Sequence, residues 1–157
     1  TYVQGTAIPN RLGYFLSILP DFDVLGLWMG IAYESPFGHR GASHALVVAA
    51  VLASLHSLAN WELRRTRIWL FLCVAGASHG LLDAFTSGGL GPALLWPFEN
   101  DRYFAPWRPI RVSPIGAGFF SPRGVQTLLS EAVWIWFPAL VCTMVIRART
   151  RRHSATA

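Results

Sequence analysis

The stretch PFGHRGASHALVVAA (residues 36–50) sets His39, Arg40 and His44 against the start of an apolar run. Whether that run opens a membrane helix decides the fold, because ionisable side chains at membrane depth are costly and mark function by default. Of 157 residues, 53% are hydrophobic and 13% charged, about half the charged share usual in soluble domains, and mean hydropathy is +0.39. That balance points to the bilayer, and the length to a single domain over residues 1–157. All 13 basic side chains are arginine and the net charge is +5. They flank apolar segments instead of forming one basic stripe, so nucleic acid is not expected as a partner. Cys73 and Cys142 sit inside apolar runs without a CxxC pair and read as small buried hydrophobes. The opening TYVQGTAIPNRLGYFLSILP has neither a Met nor a signal-peptide pattern and is expected to reflect a trimmed start.

Residues 44–60, 68–86 and 124–146 each approach the roughly 20 residues that about 30 Å of hydrocarbon requires. Residues 12–19 are apolar but too short to span, and fit the end of a further helix. In SPRG, Ser121 reads as an N-cap and Pro122 as the first position of the last helix. Residues 87–121, dense in Gly, Pro and aromatics, read as an ordered loop at the membrane interface. The fold expected is an all-α integral membrane bundle of three to four membrane helices. Arg64, Arg65 and Arg67 fill the turn between the first two spans, and the Arg-rich tail 147–157 follows the last. The positive-inside rule places both in the cytoplasm, and the long loop and the polar groups at the outer, periplasmic face.

The polar residues fall in three clusters. SHGLLDA sets His79 and Asp83 at i and i+4, one turn apart on a helix face, which suits two ligands of one metal or a helix-ending hydrogen bond. GHRGASH sets His39 and His44 in a turn running into a helix, as two further ligands or as a cap and a loop residue. LPDFD supplies Asp21 and Asp23, which bind hard or borderline cations or form a polar turn. Together they make a mixed His and carboxylate set, which fits zinc, manganese or iron, one or two ions. The lack of ligand cysteines argues for an open, catalytic site. Glu131 reads as ligand, general base or arginine partner, and Arg40 as an anion clamp, with Arg111 weaker. His56 reads as a packed helix residue and His153 as exposed.

The segments LPDFDVLG, YESPFGHRGASHAL, ASHGLLDAFTSGGLGPALLWPF and RPIRVSPIGAGFFSPRG, from about Asn10 to Pro138, closely resemble the membrane-bound metal-dependent hydrolase family of YdjM-like inner-membrane proteins. Its motif set, PDxD, HRGxSH and SHxxxD in this order, is far more specific than any piece. The resemblance implies a multi-span bacterial inner-membrane protein, distantly similar to the zinc-dependent phospholipase C and P1 nuclease group. It implies Asp21, Asp23, His39, His44, His79 and Asp83 as the metal site. The chain departs from the pattern in having no histidine before His39. The function this suggests is metal-activated hydrolysis of an ester, foremost a phosphoester of a lipid or envelope molecule. Asp23 or Glu131 would act as base and Arg40 would steady negative charge, with membrane lipids and an amphiphilic phosphoester as partners. A metal carrier or channel, and a noncatalytic assembly protein with a structural metal, are the alternatives. A carrier should show ligands through the whole membrane depth, whereas here only His56 lies on the inner half.

Overall fold

The computed structural model describes residues 7–59 and 66–155. Arg64 and Arg65 of the expected cytoplasmic turn, the end of the first expected span at Asn60, and residues 156–157 of the tail lie outside them. Among the described residues every regular element is helical, apart from one isolated parallel bridge between Thr86 and Ile110. They form two compact units: residues up to Phe85 with Gly89–Pro106, and Thr86–Gly88 with the residues from Trp107 onward.

In the first unit, α1 (Ala7–Ile18) stops where Pro20 follows, since a proline disfavours helical backbone before it. A 3₁₀ turn, Leu19–Asp23, then leads into the short α2 (Val24–Trp28). A second 3₁₀ turn, Ala42–His44, precedes α3 (Leu46–Ala59), and α4 is Thr66–Asp83. α3 buries Ala49, Ala53 and Ser57, and α4 buries Leu72, Gly76 and Gly80, each set at i, i+4, i+8 along one stripe. These small residues let the backbones approach: a Cβ on Gly76 would lie 3.1 Å from that of Ala49. Leu16, Ala53 and Leu72 form the core, with Leu12, Leu52, Ile68 and Trp69 packed around them. Residues 89–106 of the long loop fold back on this unit, with the Ala105 N–H donating to Ala84 O at 2.8 Å.

The second unit is dominated by one continuous helix. α5 (Pro122–Glu131) passes through a π-helical segment, Ala132–Trp136, into α6 (Phe137–Ala155). The wider turn lies just before Pro138, whose missing N–H interrupts the ordinary ladder. Pro122 opens the helix as expected, but the Ser121 hydroxyl donates back to Gly118 O at 2.6 Å and caps nothing. Thr127, fully buried, shares its hydroxyl between Arg123 O and Val112 O, and the Trp107 ring stands edge-on to Trp134.

The expectation of an all-α membrane protein meets a fold whose described helices carry one candidate span. Among the described residues one helix, Pro122–Arg152, is long and apolar enough to cross a bilayer, by length and composition. α3, Leu46–Ala59, is a shorter apolar helix whose described part rises about 21 Å. α4 has 18 residues, but Arg67, His79 and Asp83 dilute its apolar character.

Candidate metal centre

Three segments of the first unit meet at one point. The turn after α1 brings Asp21 and Asp23, residues 39–44 bring His39, Arg40, Ser43 and His44, and the end of α4 brings His79 and Asp83. Two glycines permit this. A Cβ on Gly41 would come within 2.2 Å of Pro36 O, and one on Gly80 within 2.4 Å of His44 O, so only glycine lets the loop close and α4 lie on it.

Asp23 is the hub of the loop. Its Oδ1 accepts from His39 Nδ1 at 2.5 Å, and its Oδ2 accepts the Ser43 hydroxyl and the Arg40 N–H, the latter at 3.0 Å. His44 Nδ1 lies 3.2 Å from the same Oδ2 and 3.0 Å from Ser43 Oγ. Burial alone would raise the Asp23 carboxyl, but the bonds from His39, His44 and Ser43 outweigh it and hold the group well below the usual carboxylate range. Both oxygens are thus engaged by donors, the arrangement of a carboxylate that orients histidines from behind.

That arrangement fixes the tautomers. The Ser43 proton is given to Asp23, so His44 Nδ1 faces two acceptors and carries the hydrogen, leaving Nε2 as a lone pair. His79 Nδ1 donates to the carbonyl of Ser17 at 2.8 Å, which likewise frees its Nε2. Arg40, buried and held at φ 63°, clamps the remaining carboxylate: its Nη2 donates to Asp83 Oδ1 at 2.9 Å and its Nη1 to Leu90 O at 3.2 Å. The Asp83 Oδ2 atom is turned toward the two imidazoles.

Ligand-type atoms of Asp21, His44 and His79 converge as a result, with Asp83 Oδ2 beside the two imidazoles. His44 Nε2 lies 3.2 Å from Asp83 Oδ2 and 3.9 Å from Asp21 Oδ1, while His79 Nε2 lies 3.1 Å from Asp21 Oδ1 and 4.0 Å from Asp83 Oδ2. Asp21, His44 and His79 offer atoms all within 4.8 Å of one another. Around a tetrahedral ion with bonds of about 2.0–2.1 Å, ligand atoms sit about 3.3 Å apart, so the spacing suits a transition metal. His44 Nε2 is fully buried and makes no hydrogen bond despite its closeness to Asp83.

Charge points the same way. Asp21, Asp23 and Asp83 face one guanidinium, leaving two negative charges when the imidazoles are neutral. Burial would lower the His44 pKa, but the flanking Asp23 and Asp83 carboxylates outweigh it and raise it. Positive charge that the cluster draws in as a proton is charge a divalent cation supplies. The centre is also one-sided: the His44 side chain is 0% exposed, whereas Asp21 is 53% exposed.

Of the residues expected at the site, Asp21, His44 and His79 bring atoms to one point, and Asp83 turns Oδ2 toward the two imidazoles. Asp23 and His39 stand behind them, with the His39 ring edge-on to His44 at 5.9 Å. Arg40 is engaged by Asp83 and is not presented to solvent. Glu131 ends α5 in the second unit, and Arg111, in that unit's loop, donates its backbone N–H to Ser130 Oγ. His56 donates to Leu52 O of its own helix.

Residues 4–154 match the model of the family described as YdjM inner membrane protein. The chain belongs to that family. It is 42% identical over 151 residues to "Inner membrane protein YbcI" of Escherichia coli (strain K12), a match covering 92% of this chain and 87% of that protein. No solved structure matches it. Membership makes this an inner membrane protein, and neither name states an activity.

Three contributors are invisible to motif reading. The Ser17 carbonyl holds His79 from 62 positions away, and Ser43 looks like a spacer between glycine and histidine. Arg102, inside the loop of residues 87–121, donates to the carbonyls of Ser35, His39 and Tyr33 and so ties down the segment that carries His39. Half-buried and far along the chain from its partners, Arg102 carries no sequence signal for that role.

Proposed function

We propose that this inner membrane protein holds one divalent transition metal, zinc foremost, through Asp21, His44, His79 and Asp83, and hydrolyses an ester, foremost a phosphoester. The observation that carries the proposal is the buried, unbonded His44 Nε2 aimed among three other ligand atoms, with the far side of each imidazole locked. When bound, such an ion supplies a Lewis acid and lowers the pKa of coordinated water. The chain's own part is positional. Asp23 and the Ser17 carbonyl fix the tautomers of His44 and His79, and Arg40 aims Asp83. The exposed Asp21 is the ligand at the open side, where a substrate head can reach, and one-sided access suits catalysis more than a closed structural site. A carrier would need ligands continuing past the centre, and His56 is bonded within its own helix.

The test is elemental analysis of protein purified in mild detergent without chelators. Wild type should carry close to one ion per chain, and His79→Ala or Asp83→Ala should lose nearly all of it while His56→Ala keeps it. Equal loss in all three, or no metal after reloading wild type, would sink the metal reading. Ester hydrolysis that survives in metal-free protein would sink the catalytic one.

A further inference from the structure

Charge is divided unevenly between the two units. Seven of the 13 arginines but only one of the 8 acidic residues, Glu131, belong to the second, so it carries the whole of the protein's positive excess. Arg147, Arg149, Arg151 and Arg152 crowd the last turns of α6, and all four are exposed. The nearest acidic residue of that helix, Glu131, ends α5, about 24 Å before Arg147 along the axis. Countercharge for the four is therefore not built into their own helix. At 3.6 residues per turn, Arg147 and Arg151 stand on one side of it and Arg149 and Arg152 on the other, so they form a collar. A collar suits a layer of anions lying all round the helix, whereas a nucleic-acid duplex would be met by a basic stripe on one face. Its height fits a bilayer. From Arg123, in the first turn of the same helix, to Arg147 the rise is about 36 Å, between the roughly 30 Å of hydrocarbon and the roughly 40–45 Å that include the headgroups.

We infer that the arginine collar Arg147, Arg149, Arg151 and Arg152 binds the headgroups of anionic phospholipids in the bilayer around this helix. With Arg123 at one headgroup layer, Arg147 reaches the other, and the remaining three arginines lie at or just beyond it. A headgroup with net negative charge gains from them, while a zwitterionic one brings its own ammonium to the same place. One arginine near such a surface favours the anion about fivefold, the equivalent of about 1 kcal/mol. The metal centre, in the other unit, plays no part in it.

Cys142 is a natural reporter, exposed on the same helix and about 7.5 Å before Arg147 along the axis. Full-length protein with Cys73→Ala, bimane-labelled at Cys142, is reconstituted in phosphatidylcholine vesicles. About one lipid in five is brominated on its acyl chains, either phosphatidylglycerol or, as the control, phosphatidylcholine. Bimane quenching then measures which lipid stands beside the collar. With all four arginines in place, phosphatidylglycerol should be held at least about fivefold over phosphatidylcholine. Raising the salt to about 1 M, which screens charges beyond about 3 Å, should bring the ratio close to one. Arg147→Gln, Arg149→Gln, Arg151→Gln and Arg152→Gln together should do the same at low salt, whereas Arg123→Gln, at the far end of the helix, should leave the ratio within about twofold. Equal quenching by the two lipids with the collar intact would overturn the inference, as would a preference that high salt or the fourfold variant leaves standing. Should the fourfold variant not reconstitute, the salt series alone decides. Loss of the lipid preference on adding duplex DNA at low salt would assign the collar to nucleic acid and overturn the inference as well.

Discussion

α4 and the helix Pro122–Arg152 look alike as sequence, apolar runs broken by one or two polar residues, yet the structure uses them in opposite ways. α4 turns a stripe of Leu72, Gly76 and Gly80 into its unit and delivers His79 and Asp83 at its end. The other helix leaves Val133, Trp136, Phe137, Leu140 and Met144 each more than half exposed. Large apolar side chains outward suit lipid, and small ones inward suit close contact with another helix. α4 leaves Leu70, Phe71 and Val74 outward as well, so what sets it apart is its inner stripe with Gly76 and Gly80, beside the polar residues that lower its hydropathy.

The strongest way to break this contrast is to charge both helices. Arginine at a lipid-facing helix centre costs about 2.5–3.5 kcal/mol of insertion. Leu140→Arg should therefore lower the membrane-inserted fraction by about 100-fold in equilibrium terms. Val74→Arg, on the outward face of α4 where Val74 is 66% exposed, should shift it by less than about 0.5 kcal/mol. Equal losses in a cell-free insertion assay would make α4 a second span and remove the distinction.

A smaller effect is expected behind the ligands. Asp23→Asn keeps the shape of the hub but takes away its charge, and loss of such an orienting partner typically costs 10–100-fold in metal affinity. Competition with a chromophoric chelator measures it. An unchanged affinity would reduce Asp23 to a loop fastener and leave the two histidines oriented by other means.

Much of this was readable beforehand, and what was not has a common cause. The i, i+4 pair His79 and Asp83 sits on the predicted face because helix geometry is local. The last helix begins at Pro122 because proline there is locally favourable. The apolar residues 12–19 prove to be the end of α1 and the start of the turn after it. Span number is not decided by the apolar runs alone: one described helix is long and apolar enough to cross a bilayer, and the run 44–60 reaches past the described end of α3 at Ala59. At the site, the residue types that meet were legible, but which of them face the imidazole Nε2 atoms and which stand behind was not. Asp21 and Asp23 are two residues apart in one motif, and only the fold shows one facing the imidazole Nε2 atoms and the other backing Nδ1. The Arg102 clamp reaches over 63 positions to the His39 carbonyl, a distance at which no sequence pattern operates.

The smallest effect concerns the loop residue that aims the carboxylate of α4. Arg40 adopts φ 63°, where a side chain costs about 1–2 kcal/mol and glycine costs none. It is held there by its N–H on Asp23, by its carbonyl accepting from Ala93, and by the guanidinium on Asp83 and Leu90. Two substitutions separate backbone from clamp. Arg40→Ala and Arg40→Gly both remove the guanidinium, so both should weaken metal binding equally, by about tenfold or less, as Asp83 loses its aim. Only the glycine is released from the backbone cost, so it should unfold at higher temperature than the alanine, by about 1 kcal/mol in stability. If the two are equally stable, the left-handed turn carries no strain. If their metal affinities differ, the loop backbone, and not the guanidinium, positions the carboxylate that α4 supplies.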